Sequence, residues 1–192
     1  MIKLLITGSG NTGTTSLQKR ITDGYFDEKI ICTIGVDYYN STIRRDGKQY
    51  KFMVWSASNS FRYENIINYY LKHSEFIIFC YDITKRETFE EIVIYNNALK
   101  KVNKDAVVYL VGTKKDLKCK RVVTYDEGFK LATMLNMIFY EVSAKTGENV
   151  DEIINSIIFH YKNKEIEREE NIKKEKDKNN LFYNLFSCCF GR

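Results

Sequence analysis

A chain of 192 residues with 44% hydrophobic and 14% aromatic content can bury one substantial core, so one domain plus a tail is the simplest organisation. A net charge of +5 is mild, and no dense basic stripe appears, which argues against a nucleic-acid partner. Five cysteines, three of them scattered and two adjacent, form neither a disulfide framework nor zinc-ligand spacing, and they suit a reducing, cytosolic setting. The apolar start is too short for a signal peptide, and no apolar run approaches the roughly 18 residues that span a bilayer.

Ile2 to Ile6 is a short apolar run, read as a buried strand. A glycine-rich stretch follows, and then Leu17 and Ile21 recur at helical spacing. Thr15 to Tyr25 is therefore predicted as the first helix, ended by Gly24. Tyr25 to Gly35 has no clear period and reads as a loop. Val36 to Arg45 and Gln49 to Trp55 read as strands around Asp46-Gly47, a hairpin signal. Ser56 to Ser60 is a small-residue polar loop. Phe61 to His73 is helix-like, with Ile66, Ile67, Tyr70 and Leu71 as its apolar face.

Phe76 to Tyr81 is apolar throughout and reads as a strand buried on both faces. Thr84 to Asn103 is predicted as one long helix. Val107 to Val111 is another buried strand. Tyr125 to Leu135 is a helix capped by Thr124, with Glu127 three residues on. Ile138 to Val142 is a short strand, and the last helix runs from Glu148 to about Glu169. Strands alternating with helices imply an α/β fold: a six-stranded, mostly parallel mixed sheet with helices on both faces. Lys162 to Asn180 is charged with alternating sign and is expected to fray into disorder. Leu181 to Phe186 is abruptly apolar.

Three short constellations carry chemistry. Gly8 and Gly13 have the spacing of a phosphate-binding P-loop, and Thr15 fills its hydroxyl position, but Thr14 stands where the pattern has lysine. In such a loop backbone N–H groups converge on phosphate oxygens at a helix N-terminus. Gly10 allows close approach, Asn11 tolerates a left-handed conformation, and Thr15 would place a hydroxyl on Mg²⁺. Alone, the stretch reads equally as an ordinary strand-to-helix turn rich in Gly and Thr. The second constellation is Thr113-Lys114-Lys115-Asp116, after a buried strand, where ligands meet parallel sheets. A carboxylate there can accept from guanine N1–H and the exocyclic amine, a pairing adenine does not offer. The third is Ser143-Ala144-Lys145, where a backbone N–H can meet the guanine carbonyl oxygen. Each alone could be a charged loop. Their order, spacing and shared place at strand ends link them.

In these residues the chain resembles the small GTPases of the Ras superfamily, and within it the Rab branch. Thr33-Ile34-Gly35-Val36-Asp37-Tyr38 is similar to the Rab switch I signature, and Ile77 to Thr84 and Val142 to Val150 are similar to other Rab stretches. The resemblance covers about residues 1–165, implying a P-loop G domain, with residues 166–192 as a disordered tail ending in a lipidation site. It implies GTP or GDP with Mg²⁺, and nucleotide contacts at Gly8, Gly10, Asn11, Gly13, Thr14, Thr15, Ser16, Phe26, Thr33, Thr113, Lys114, Asp116, Leu117, Ser143, Ala144 and Lys145. By that resemblance Asp116 reads guanine, the Lys114 stem covers the ring and Phe26 stacks on its edge. Thr15 and Thr33 coordinate Mg²⁺, and the Thr33 N–H senses the γ-phosphate. Thr113 replaces the usual Asn, a change the Rho branch also carries.

The pattern breaks after the third strand. Rab proteins read Trp-Asp-Thr-Ala-Gly-Gln-Glu where this chain has Trp55-Ser56-Ala57-Ser58-Asn59-Ser60-Phe61. Ser56 aligns with the Asp that holds Mg²⁺ through water, Asn59 with the Gly that meets the γ-phosphate, and Ser60 with the Gln that positions the attacking water. One reading is tolerated drift in a working switch; the other is a dismantled catalytic half with slow or absent hydrolysis. Lys3 is a candidate to replace the missing cation.

The resemblance further implies a switch in vesicle traffic, or alternatively a pseudo-GTPase that recruits partners without cycling. An ATP-using P-loop kinase is set aside by the guanine motifs. Implied partners are effectors at switch I and switch II with Trp55 helping, a prenylation escort and GDP-dissociation inhibitor, and a membrane. Cys188-Cys189 resembles the paired Rab prenylation site, which would place the protein on the cytoplasmic face of endomembranes with a cytosolic pool. Leu181 to Phe186 would bind the escort or lie on the membrane. Lys173, Lys174, Lys176 and Lys178 are diluted by Glu175 and Asp177, so electrostatic anchoring is weak.

Overall fold

The computed structural model describes residues 1–29, 35–58 and 64–189. The sheet starts from β1 (Ile2–Gly8), which pairs in parallel with β3 (Lys48–Ser58) and with β4 (Phe76–Asp82). Beyond β4 lie β5 (Val107–Thr113) and β6 (Ile138–Glu141), both parallel, and β2 (Val36–Arg45) forms the other edge, antiparallel to β3. The six-stranded order is β2-β3-β1-β4-β5-β6. The one hairpin turns at Asp46 and Gly47, with φ of 50° and 71°. Two positive φ values match a turn whose twist suits the flanking strands.

Side-chain alternation sorts the sheet residues onto two faces. Leu5, Ala57, Ile77, Phe79, Tyr81 and Leu110 share one buried cluster. Into that cluster pack Ile67 and Leu71 of α2 (Glu64–His73), and Ala132 of α5 (Tyr125–Leu135). Leu4, Ile6, Val54 and Ile78 are buried on the opposite face. There α1 (Thr14–Asp23) contributes Leu17 and Ile21, both buried. Each such aliphatic side chain contributes about 1.5–3 kcal/mol by leaving water. Every parallel strand therefore ends at the same edge of a rigid platform, and the loops leaving β1, β5 and β6 gather there.

The long helix expected over Thr84 to Asn103 is two: α3 (Arg86–Glu90) and α4 (Ile92–Val102). The break falls at Glu91, whose carboxylate is engaged by Ser9 and Tyr95. β3 runs on to Ser58 instead of ending at Trp55, because β1 pairs with it as far as Gly8↔Ser58. The Thr124 capping box on α5 is present with both of its reciprocal bonds.

The chain divides into a compact unit of Met1–Asn155, which holds the whole sheet, and a unit of Ser156–Arg192. The final helix, α6 (Val150–Cys189), is 40 residues long and does not fray near Glu169. The charged segment from Lys162 to Asn180, expected to be disordered, has a helical backbone. No Gly or Pro interrupts residues 150–189, and Lys and Glu are good helix formers. Pairs four residues apart assist, as where the Tyr161 hydroxyl donates to Glu165 at 2.5 Å. Among the described residues, no helix is long and apolar enough to cross a membrane.

Candidate nucleotide site

The loop after β1 is shaped by its own backbone demands. A Cβ on Gly8 would sit 2.4 Å from the Cys80 carbonyl oxygen, so only glycine fits beside β4 there. Asn11 and Gly13 are left-handed, with φ of 63° and 86°. Gly13 is the N-cap of α1; no side chain caps it, and the first turn holds no acidic residue. A helix start left uncapped in this way presents amide N–H groups and a positive dipole end to an anion.

The loop is pinned from behind. The Thr12 hydroxyl donates to the Ser9 carbonyl at 2.7 Å. The Ser9 hydroxyl donates to Glu91 at 2.5 Å, and Tyr95 donates to the same carboxylate oxygen at 2.5 Å. Beside it lies a cavity of about 250 Å³ whose walls include Thr7, Ile67, Leu71, Phe79, Ile94 and Tyr95.

The loop after β5 is tied to the first loop. The Thr113 hydroxyl reaches the Thr12 carbonyl at 2.6 Å and the Tyr81 carbonyl at 2.9 Å. Lys114 is left-handed (φ 60°), and its ammonium donates to the Asn11 carbonyl at 2.8 Å and to Asp82 at 2.6 Å. The Asp82 side chain is only 1% exposed, so this cation is what keeps a buried carboxylate paired. The Lys114 stem is thereby stretched between two loops.

Asp116 is oriented by the loop after β6. The Ser143 hydroxyl donates to its Oδ1 at 2.6 Å and accepts from the Thr146 N–H at 3.1 Å. The Lys145 ammonium donates to Glu28 at 2.7 Å, which holds its pKa above the usual lysine value. Arg20 of α1 donates through Nε to the Ala144 carbonyl at 2.7 Å and through its terminal nitrogens to the Lys145 carbonyl at 2.8 Å and the Gly24 carbonyl at 2.7 Å.

The same arrangement has known relatives. The Ras family profile matches residues 3–163. The chain belongs to the Ras family. Within the family it is Rab-like: it is 36% identical to the Ras-related protein Rab-12 of Homo sapiens over 159 residues, covering 82% of this chain but 65% of the human protein's length. It is 34% identical to the Ras-related protein SEC4 of Candida albicans over 173 residues, covering 90% of this chain and 81% of that one. It is 36% identical to Rab-18-B of Danio rerio over 163 residues, covering 82% and 79%.

This Rab-like chain departs from its relatives' motif on the phosphate side. Thr14 is buried in the first turn of α1. Ser56 lies inside β3, level with Ile6 of β1, fully buried, and its hydroxyl has no hydrogen-bond partner among the described residues. Lys3 cannot replace the P-loop lysine. It lies at the far end of β1, opposite Met53, and at roughly 3.3 Å per residue it is on the order of 16 Å from Gly8. Thr33, Asn59 and Ser60 lie outside the described residues. Phe26 is half-buried in the segment after α1.

For Mg²⁺ the available chemistry is hydroxyl oxygen. Among the described residues no cluster of His, Cys, Asp and Glu could hold a metal. Mg²⁺ takes oxygen ligands, keeps several waters and needs few protein groups when phosphates are present. Thr15 at the helix start fits that pattern, while Ser56, fully buried inside β3, brings a hydroxyl and no carboxylate.

Ser9, Arg20, Asp82, Glu91 and Tyr95 carry contacts that periodicity and motif reading missed. Their partners lie as far as 125 residues away in the chain, as for Arg20 and Lys145. No local pattern marks them.

Proposed function

We propose that the chain is a guanine-nucleotide-binding switch of the Rab type, anchored to membranes of the vesicle-traffic system, that hydrolyses GTP slowly or not at all. The observation that carries the reading is the loop set around Asp116: one carboxylate oxygen held by Ser143 and the other available, beside a lysine stem fixed at both Asn11 and Asp82. Asp116 accepts from guanine N1–H and the exocyclic amine. The Lys114 stem covers the ring and Phe26 stacks on its edge. The uncapped start of α1 receives the phosphates through backbone N–H groups of the Gly8 to Ser16 stretch.

Thr15 and Thr33 would hold Mg²⁺, which would supply positive charge beside the phosphates. Thr14 brings none. A charge-assisted hydrogen bond contributes roughly 1.5–3 kcal/mol, so the missing lysine costs about 10- to 100-fold in affinity. Phosphoryl transfer depends on positioning and charge stabilisation. With Thr14, Ser56 and Ser60 at three of those positions, binding outlasts turnover.

A second reading, a binding module that never cycles, is favoured by Ser56, whose buried hydroxyl stands where a carboxylate serves the metal. Either way, partner recognition is supported by a row of rings. Tyr38 and Trp55 lie 6.0 Å apart, and Trp55 and Tyr70 5.3 Å, with Tyr38 47% exposed. Lipids on Cys188 and Cys189 give durable anchoring where one chain is marginal.

The deciding experiment is chromatography of nucleotide released from purified protein, followed by single-turnover hydrolysis with Mg²⁺. Bound guanine nucleotide with slow turnover supports the switch. No bound nucleotide, and no affinity for added GTP or GDP, refutes it, and fast turnover refutes the dismantled catalytic half. Cys188→Ser with Cys189→Ser is expected to move the protein from membrane to cytosol; persistent membrane residence would end the lipid-anchor proposal.

A further inference from the structure

We infer that Arg20, on α1, is the positioning residue that makes the site read the guanine carbonyl. The inference rests on the guanine reading above and adds to it the residue through which the third loop acts. Arg20 takes hold of two consecutive carbonyls, Ala144 at 2.7 Å through Nε and Lys145 at 2.8 Å through a terminal nitrogen. Its other terminal nitrogen donates to the Gly24 carbonyl at 2.7 Å, at the left-handed cap of the same helix. The guanidinium is a rigid planar fork, so three bonds in one plane fix the loop relative to α1 rather than merely attract it.

The geometry reaches the base from two directions. With the Ala144 carbonyl drawn to α1, the planar trans peptide turns the Lys145 N–H the opposite way, away from α1, and that is the backbone donor left for the guanine carbonyl. The Lys145 ammonium meanwhile donates to Glu28 at 2.7 Å, in the segment that carries Phe26. Gly24 and Glu28 bracket Phe26 in the chain. One arginine thus joins the loop that meets the guanine carbonyl to the start of the segment that stacks on the ring. Asp116 is held separately, by Ser143, at 2.6 Å. Arg20 governs the carbonyl end of the base, while Asp116 governs the amine end.

That division gives a test a merely structural role would not pass. Affinity is measured for GDP, for 6-thio-GDP, which replaces the carbonyl oxygen with a weak sulfur acceptor, and for IDP, which keeps the carbonyl and lacks the exocyclic amine. Wild-type protein is expected to prefer GDP over both analogues. In Arg20→Ala, GDP affinity falls about 10- to 100-fold. The preference for GDP over 6-thio-GDP collapses toward one, and the preference over IDP stays as it was.

Arg20→Lys keeps the charge without the fork and is expected to lose most of the 6-thio-GDP discrimination while remaining folded. It serves if Arg20→Ala does not fold. Equal weakening for all three nucleotides, or unchanged discrimination, overturns the inference while leaving guanine binding intact. Failure of wild-type protein to bind GDP refutes the proposed function instead.

Discussion

The loops around Asp116 and Ser143 and the loop around Gly8 sit at the same edge of the same sheet, yet side chains shape them differently. On the base side nearly every polar group is held by another: Asp116 by Ser143, Lys114 by Asn11 and Asp82, Ala144 and Lys145 by Arg20. At the loop after β1 the shape is held from behind, through Thr12, Ser9 and Glu91, while the start of α1 is capped by no side chain. The difference teaches that two loops at one sheet edge can be shaped by different means, one by linked side chains and the other by backbone. Under the proposed function, the base would be read at side chains tied to one another, while Thr14 and Ser56 bring only neutral hydroxyls to the other half.

The largest effect is expected on the ordered side. Asp116→Ala removes the acceptor of two charge-assisted hydrogen bonds, roughly 3–6 kcal/mol together, or on the order of 100- to 10,000-fold in GDP affinity by equilibrium titration. A loss below about tenfold would mean that the base is read elsewhere. Thr14→Lys addresses the other side by restoring a cation. GTP affinity is expected to rise about 10- to 100-fold, and an unchanged value would show that the loop is not missing that charge.

Gly8→Ala acts where the two sides meet β4. Its Cβ would press 2.4 Å from the Cys80 carbonyl oxygen, a backbone atom that cannot swing aside. Overpacking of this kind costs about 1–3 kcal/mol, read as a lower melting temperature with GDP release accelerated.

The smallest effect belongs to a pair remote from both sides. A hydrogen bond from Arg86, then those from Thr124, hold the Glu127 carboxyl down from 4.5 to about 2. A depressed carboxylate contributes stability that is complete above its ordinary pKa and lost as pH falls from about 4.5 toward 2. Glu127→Gln should therefore lower the melting temperature slightly at pH 7, and the gap should close on acidification, with nucleotide affinity unchanged. A shift in affinity would show that this pair is coupled to the site.

Much of the fold was legible because it rests on local signals. The apolar runs at Ile77 and Val108 read as strands, Asp46-Gly47 read as a turn, and Thr124 with Glu127 read as a helix start. Glu91 was not legible. The sequence around it is helical in pattern, and nothing local marks that its carboxylate meets Ser9, 82 residues away. The long reach of α6 was missed for the opposite reason: charge of alternating sign suggested a solvated, unravelling segment, while the lack of Gly and Pro and the helix preference of Lys and Glu carried it on. In the site, Asp116 and Ser143 stood out by their place at strand ends, whereas Arg20 meets its partners only once β6 has been laid beside β5.

Thr113 holds the two sides together with a single proton. Its oxygen lies 2.6 Å from one carbonyl and 2.9 Å from another, but a hydroxyl has only one hydrogen to give. At any instant that hydrogen serves one of the two carbonyls, and the Tyr81 carbonyl also lies within the β4–β5 ladder. An asparagine carboxamide has two N–H donors and could serve both at once. The seam between the loop after β5 and the loop after β1 therefore rests on one shared hydrogen. Thr113→Asn would close both contacts together and slow the escape of whatever the cradle holds.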